Sequence, residues 1–337
     1  MKYEGETLIS LDGEGAHVVA PSIAEKLAKK NLSPSTVTGL EGCHARWLVD
    51  SFVLSHLVEE PPDNAARRGN LFHSTMENFF AHPKGERTKE LMKQVVQETL
   101  NSEDYVDLSQ NRDVIAWLRG AINGYYNMGG DPNSVDIASI TRTKFTKEGE
   151  PYQKTEDGIE IFVKGQLGGA SRPTLGFIDQ VIEDPTRDDG SVIVQDWKSG
   201  SKVKRYKAHT KGNDGYPEQR QQIIYTELLR QDGVKVSGAR LIFPVAREVV
   251  DVELGDETLR ERALADVETA DKTLDTLIET NSFDFTPTFL CHWCPLAKIC
   301  PKAGLGQGPF PKPYDKTIAA YAQQPAPEVL FQGIEVL

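Results

Sequence analysis

Apolar positions recur at helical spacing through the N-terminal part of the chain and give way to alternating, strand-like runs after Gly130. Ser22 to Lys30 predicts a short helix. Ser33-Pro34-Ser35 then reads as a helix start, with a capping serine and proline in the first turn. That helix is expected to run through Cys43 and Trp47 to about Leu57, and Pro61-Pro62 to end it. A second helix covers Ala65 to Ala81, with Leu71, Phe72, Met76, Phe79 and Phe80 as its apolar positions. Further helices are expected over Glu90–Leu100 and Asn111–Asn127, the latter carrying Ile115, Leu118, Ile122 and Tyr125. Past Gly130, Ile137–Phe145, Ile159–Val163, Leu175–Glu183, Ser191–Trp197 and Ala239–Val245 read as strands between glycine, aspartate and proline turns. Gln219–Arg230 is a helix between the last two strands, and Thr258–Glu279 a long charged one. Helices, a mixed sheet and helices again make an α/β fold with an N-terminal helical portion.

Composition bounds the class. With 337 residues, 39% hydrophobic and 26% charged, the chain can hold one large domain or two ordinary ones around a real core. No apolar run is long enough to span a bilayer, and Met1 to Gly15 lacks the apolar stretch of a secretory signal, so no membrane association and a cytoplasmic location are expected. The net charge of −12 argues against coating nucleic acid by bulk electrostatics. It leaves room for a local basic strip, such as Lys198, Lys202, Lys204, Arg205, Lys207 and Lys211, which taken alone reads as a solvated loop and, from its position directly after a candidate catalytic motif, reads equally as a DNA contact. Glu328 to Gly333 resembles the recognition sequence of a picornaviral protease used in expression vectors and carries no weight for the fold.

The chemistry concentrates in two strands. Gly176-Phe177-Ile178-Asp179 is followed, after a turn, by Val192-Ile193-Val194-Gln195-Asp196-Trp197-Lys198. Positions i and i+2 of a strand share a face, so Asp196 and Lys198 point into one site, and a hairpin brings Asp179 beside them. Hard oxygen ligands of this kind hold Mg²⁺ for phosphodiester hydrolysis, and a nearby lysine orients water or offsets developing charge. An Asp-x-Lys triplet alone is common, and two further segments add to it. Gly69, His73 and Glu77 lie along one helical face, the glycine admitting another backbone and the histidine offering a nitrogen to a metal. Gln221 and Tyr225 share another helical face.

In this order the pieces resemble the RecB-like branch of the PD-(D/E)XK nucleases: Gly-x-x-x-His on a helix, Gly-φ-φ-Asp on a strand (φ apolar), Asp-x-Lys on the next, then Gln-x-x-x-Tyr on a helix. The resemblance implies a restriction-endonuclease-like core and a metal-dependent DNA nuclease. It implies that His73, Asp179 and Asp196 bind Mg²⁺ or Mn²⁺, with the Trp197 carbonyl completing the protein ligands. Lys198 would be the catalytic lysine, Gln221 and Tyr225 would contact DNA or brace it, and Glu77 would support the ligands. It further implies exonuclease action on single-stranded DNA ends, 5′ to 3′, in phage DNA metabolism, recombination and repair or CRISPR adaptation. Asp131 to Arg172, rich in charge and glycine, is expected to form a hairpin or a cover over the DNA channel. No Gly-x-x-x-x-Gly-Lys-Ser/Thr loop is present, so the protein is expected to act alone, as a homo-oligomer or with separate protein partners.

The four cysteines are Cys43, Cys291, Cys294 and Cys300, the last three forming a compact nest. Four thiolates suit a 4Fe–4S cluster or tetrahedral zinc, and spacing alone leaves zinc open, with His44 or His292 as substitute ligands. Iron–sulfur members of the RecB-like group carry one cysteine before Gly-x-x-x-His and three after the core, so the resemblance implies a 4Fe–4S cluster stapling the first helix to the C-terminal segment. The expected organisation is an N-terminal extension (1–32), a nuclease domain (33–301) with a helical insertion at about 84–130 and the cluster formed by both its ends, and a tail (302–337). The competing readings are a nuclease-fold protein that binds DNA or a partner without cutting, and a zinc-stabilised structural protein.

Overall fold

A computed structural model describes residues 2–3, 6–54, 65–146, 148, 150–207, 216–288, 291, 294, 296 and 300–302. In chain order the strands are β1 (Lys2–Tyr3), β2 (Glu6–Thr7), β3 (Ile9–Leu11), β4 (Gly15–Val18), β5 (Ser139–Phe145), β6 (Pro151–Asp157), β7 (Ile159–Gly165), β8 (Thr174–Glu183), β9 (Val192–Trp197), β10 (Val236–Phe243), β11 (Glu248–Val252) and β12 (Phe283–Asp284). The α-helices are α1 (Pro21–Ala28), α2 (Pro34–Leu40), α3 (His44–Phe52), α4 (Ala65–Phe80), α5 (Lys89–Leu100), α6 (Arg112–Asn127), α7 (Tyr216–Gln231) and α8 (Glu257–Thr280). None of the described helices is long and apolar enough to cross a membrane. The described residues divide into two compact units: those up to residue 54 with Gly168–Thr174 and those from Ala265 onward, and those from Ala65 to Leu167 with Leu175–Leu264.

In the first unit, β4 pairs antiparallel with both β3 and β12. The long helix expected from Ser33 is two helices. Ser33 does cap the first, accepting from the Thr36 amide at 3.1 Å, with Pro34 in the first turn. That helix ends at Leu40, and Cys43 stands at the residue before α3, without a side-chain capping bond, rather than lying within a helix. Gly39 and Gly42 weaken the helix here. Trp47 folds back so closely that a Cβ on Gly39 would meet its ring at 2.4 Å. His44 takes up the freed end, its Nε2 lying 3.0 Å from the Leu40 carbonyl oxygen. Residues 55–57, Pro61-Pro62 and the tail from 303 onward, with its Glu328–Gly333 segment, lie outside the described residues.

In the second unit a five-stranded sheet runs in the order β11-β10-β9-β8-β7. Strands β9 and β10 are parallel, while β8–β9 and β10–β11 are antiparallel, so the sheet is mixed. A parallel neighbour requires a crossover, and α7 supplies it. Trp197 at the end of β9 is 3% exposed and lies among Phe72, Phe80 and Tyr125, with centroids 6.1, 5.9 and 5.6 Å away. This aromatic cluster seats α4 and α6 on the sheet. Because side chains alternate along a strand, turning Trp197 inward sends Asp196 and Lys198 to the other face.

The stretch Asp131–Arg172 contains a hairpin, β5–β6, paired from Ser139↔Asp157 to Phe145↔Pro151. It is tied down by Arg142, which is fully buried. The guanidinium donates to Glu156 Oε1 (3.0 Å), Asp232 Oδ2 (3.0 Å) and the Phe162 carbonyl oxygen (2.9 Å).

Candidate active site

Every motif residue singled out from the sequence is described, and those of the site lie in the second unit. The β8–β9 ladder runs from Glu183↔Val192 to Gln180↔Gln195, so Asp179 and Asp196 follow at its end, on adjacent strands. Asp179 Oδ2 accepts a hydrogen bond from the Trp197 amide at 2.8 Å and lies 3.2 Å from His73 Nδ1. The imidazole comes from α4, where Phe72 is buried in the core and His73 and Glu77 flank it one turn apart.

Asp196 is 3% exposed, and its Oδ2 forms an ion pair with Lys198 Nζ at 2.7 Å. Lys198 Nζ also donates to Gln221 Oε1 at 3.1 Å, and Gln221 Nε2 donates to the Tyr225 hydroxyl at 3.3 Å. Gln221 and Tyr225 are thus linked to the lysine as one chain along α7. Gly176 explains its own place in this arrangement: a Cβ there would come within 2.4 Å of the Tyr225 ring. Gly69 is less constrained. A Cβ would touch only the Ser199 hydroxyl at 3.4 Å, so the neighbour it admits is a side chain and not a backbone.

The electrostatics follow from burial among opposed charges. Burial pushes the His73 pKa down, but the hydrogen bond and charge of Asp179 and the charge of Asp196 outweigh it, and the net shift is upward. Burial raises the Asp196 carboxyl, while the Asp196 charge holds Lys198 protonated despite its own burial. Burial lifts the Tyr225 phenol to about 12, so it stays a donor.

Glu160 was not among the residues singled out, and it belongs here. It lines a small cleft with His73, Glu77, Asp179, Gln180 and Trp197. Its backbone φ of 47° is left-handed, a conformation that a glutamate adopts at a cost. Burial, with repulsion from Asp179 and Glu77, raises its carboxyl to about 7. Burial and Asp179 also raise Glu77. The alternation of Ile159, Ile161 and Val163 was the available signal, since it turns Glu160 to the opposite face of β7.

A second cleft, of about 480 Å³, is lined by His73, Trp197, Lys198, Ser199, Lys202 and Tyr206 among others, a size within the range of ligand sites. Of the basic strip, Lys198 and Lys202 line this cleft, and Lys207 pairs with Glu248. The Arg205 side chain and Lys211 lie outside what is described.

A family model described as the PD-(D/E)XK nuclease superfamily matches residues 31–301. The chain belongs to that superfamily. Its fold is restriction-endonuclease-like, the central mixed sheet flanked by helices, and membership implies a metal-dependent nuclease with DNA as substrate. No curated protein matches the chain.

In the first unit, Cys43, Cys291, Cys294 and Cys300 line one cleft with Arg46 and Lys302. None is in a disulfide. The Thr288 amide donates to Cys291 Sγ at 3.2 Å, and burial raises the Cys294 thiol to about 12. Of the histidines weighed as substitutes, His44 has both ring nitrogens engaged, by Asp284 and by the Leu40 carbonyl, and His292 lies outside the described residues. Among the described residues, no three His, Cys, Asp or Glu side chains stand close enough together to grip a single ion. This applies to the cysteines and to His73, Asp179 and Asp196, where a proton-bearing imidazole and an ammonium each hold a carboxylate.

Proposed function

We propose that this PD-(D/E)XK protein is a RecB-like, Mg²⁺- or Mn²⁺-dependent DNA exonuclease that shortens single-stranded ends, 5′ to 3′, and carries a 4Fe–4S cluster. The observation that carries the reading is the sequence-distant grouping of His73 with Asp179, and of Asp196 with Lys198, Gln221 and Tyr225.

The donor types suit a hard divalent ion: two carboxylates and an imidazole lie on adjacent elements at a strand end, although among the described residues they do not converge on one point. His73, Asp179 and Asp196, with the Trp197 carbonyl, would be its protein ligands. Such an ion, when bound, lowers the pKa of a water and offsets charge on the scissile phosphate. The chain's own groups do the rest. Lys198, held charged by Asp196, would stabilise negative charge developing on a bound phosphate. Gln221 fixes the lysine's position, and Tyr225 fixes Gln221. To ligate the cation, His73 would have to release to solvent the proton it shares with Asp179.

Cys43, Cys291, Cys294 and Cys300 would hold the cluster through their thiolates. Residues 33–301 would form the nuclease domain, and the cluster would tie Cys43 to the C-terminal segment.

Linear and circular DNA, single- and double-stranded and labelled at either end, tests this in Mn²⁺. Linear single strands should shorten from the 5′ end while circles survive; cutting of circles would make the protein an endonuclease. Anaerobically purified protein should yield iron and sulfide in equal amounts, and zinc in their place would remove the cluster.

A further inference from the structure

The outward face of the sheet beside the candidate active site carries an aromatic pair that the hydrolytic chemistry does not use. Along β7, Ile161 and Val163 are buried while Phe162 and Lys164 are exposed; along β8, Gly176 and Ile178 are buried while Phe177 is exposed. Phe177 is 54% exposed and Phe162 39%, and their rings meet across the two adjacent strands at 5.2 Å, tilted by 51°. Cross-strand packing of this kind contributes about 0.2–1 kcal/mol, a small return for leaving two phenyl rings in water. Phe177 is tied by strand alternation to the acidic cleft: it precedes Asp179 by two residues on β8, a rise of about 7 Å along the strand, and Phe162 packs against it from β7. On the far side, Lys164 is exposed and forms no ion pair among the described residues.

We infer that Phe162 and Phe177 form a stacking platform for the bases of single-stranded DNA, next to the phosphate being cut. This rests on the nuclease reading and names how the strand is gripped. Unpaired bases stack on exposed aromatic rings whatever their identity, whereas a duplex keeps its bases inside. Lys164 supplies the cation for a backbone phosphate one step further along. The charge of the whole chain makes a non-ionic grip valuable: at −12, bulk attraction does not hold a polyanion, and stacking is a source of affinity that salt does not screen.

The test measures anisotropy of a fluorescein-labelled twelve-nucleotide oligothymidylate, and of a base-free strand of equal length, in EDTA so that nothing is cut. Wild type should bind the oligothymidylate more tightly than the base-free strand. The Phe162→Ala/Phe177→Ala double variant should lose roughly fivefold to a hundredfold on the oligothymidylate and little on the base-free strand, with the slope of log Kd against log salt unchanged. Phe177→Trp should retain the contrast. Both rings are exposed, so the melting temperature should hold. Equal loss on both strands, or unchanged oligothymidylate affinity, overturns the platform. So does a wild-type dimer that the double variant dissociates without loss of DNA affinity, because the pair would then be covered by a second copy. Wild type that keeps the contrast but cuts no DNA in Mn²⁺ would remove the nuclease reading and leave the platform standing.

Discussion

The imidazole of His73 reaches from α4 to the Asp179 carboxylate on β8, Nδ1 to Oδ2 at 3.2 Å, while the same carboxylate oxygen takes the Trp197 amide of β9 at 2.8 Å. One oxygen thereby joins a helix and two strands, and Trp197 is buried against the core face of that helix. The aromatic packing that stabilises the unit and the polar contacts of the site are two sides of one tripeptide. Asp196-Trp197-Lys198 turns its middle residue to the aromatic core and its outer two to the site.

Asp196→Asn and Lys198→Met should each lower Mn²⁺-dependent DNA cleavage by at least about 10²-fold, the scale of losing one electrostatic contact to a transition state. Lys198→Met also leaves the buried Asp196 carboxyl without its ammonium, so that variant should favour the neutral acid and melt lower than Asp196→Asn. Cleavage rates with thermal melts of both proteins check this. Full cleavage by either variant would remove its residue from the reaction.

Gly176→Ala should perturb α7 without touching a charged group. The new methyl would lie 2.4 Å from the Tyr225 ring and 2.7 Å from its hydroxyl, so the phenol must move and release Gln221. Overpacking of this kind costs about 1–3 kcal/mol. Urea unfolding should show that loss, and cleavage should fall with it. A variant as stable as wild type would mean that Tyr225 has room the structure does not show.

What was legible from sequence was local. Gly69 to Glu77, Gly176 to Asp179, Asp196 to Lys198 and Gln221 to Tyr225 announce themselves because helix and strand periodicity fix which of their residues share a face. The helices from Ala65 to Asn127 are legible for the same reason, each burying a stripe such as Leu71, Phe72, Met76 and Phe79. The break between α2 and α3 was not, because it depends on Trp47 folding over Gly39. Strand β6 was missed because its residues are almost all exposed and show no apolar alternation. The short strands β3, β4 and β11 are held by pairing partners that no local pattern reveals. The alternation around Glu160 marks it as turned away from the core, but its meeting with Asp179 depends on the neighbouring strand and a left-handed backbone that no local pattern reveals.

Arg142→Ala should destabilise the second unit by about 3 kcal/mol, the lower end of what breaking a buried ion pair costs. Glu156 and Asp232 would lose a common partner, and the Phe162 carbonyl its donor, but Lys154 and Lys144 remain at 3.0 and 3.6 Å to soften the loss. Chemical denaturation of the wild type and Arg142→Ala measures it. A loss under about 1 kcal/mol, the size of an exposed pair, would show that the hairpin is not anchored through this side chain.

Asp184 gives a pH dependence whose sign is fixed. It caps the turn after β8, accepting from Ser237 Oγ at 2.6 Å, Thr186 Oγ1 at 2.7 Å and the Thr186 amide at 2.9 Å. The Ser237 hydrogen bond, then those from Thr186, hold its carboxyl at about 2, below the ordinary 3.8. A depressed folded-state pKa means that the ionised form stabilises the fold. The contribution is complete above about pH 4 and is lost as pH falls toward 2. Asp184→Asn removes the charge at every pH, so wild type should exceed it by about 2 kcal/mol at pH 6, the scale of hydrogen bonds to a charged acceptor. The gap should close between pH 4 and pH 2, as read from urea midpoints at each pH. A gap that stays constant down to pH 2 would mean that the Asp184 charge does not stabilise this turn, leaving its Ser237 and Thr186 contacts as neutral hydrogen bonds an amide can replace.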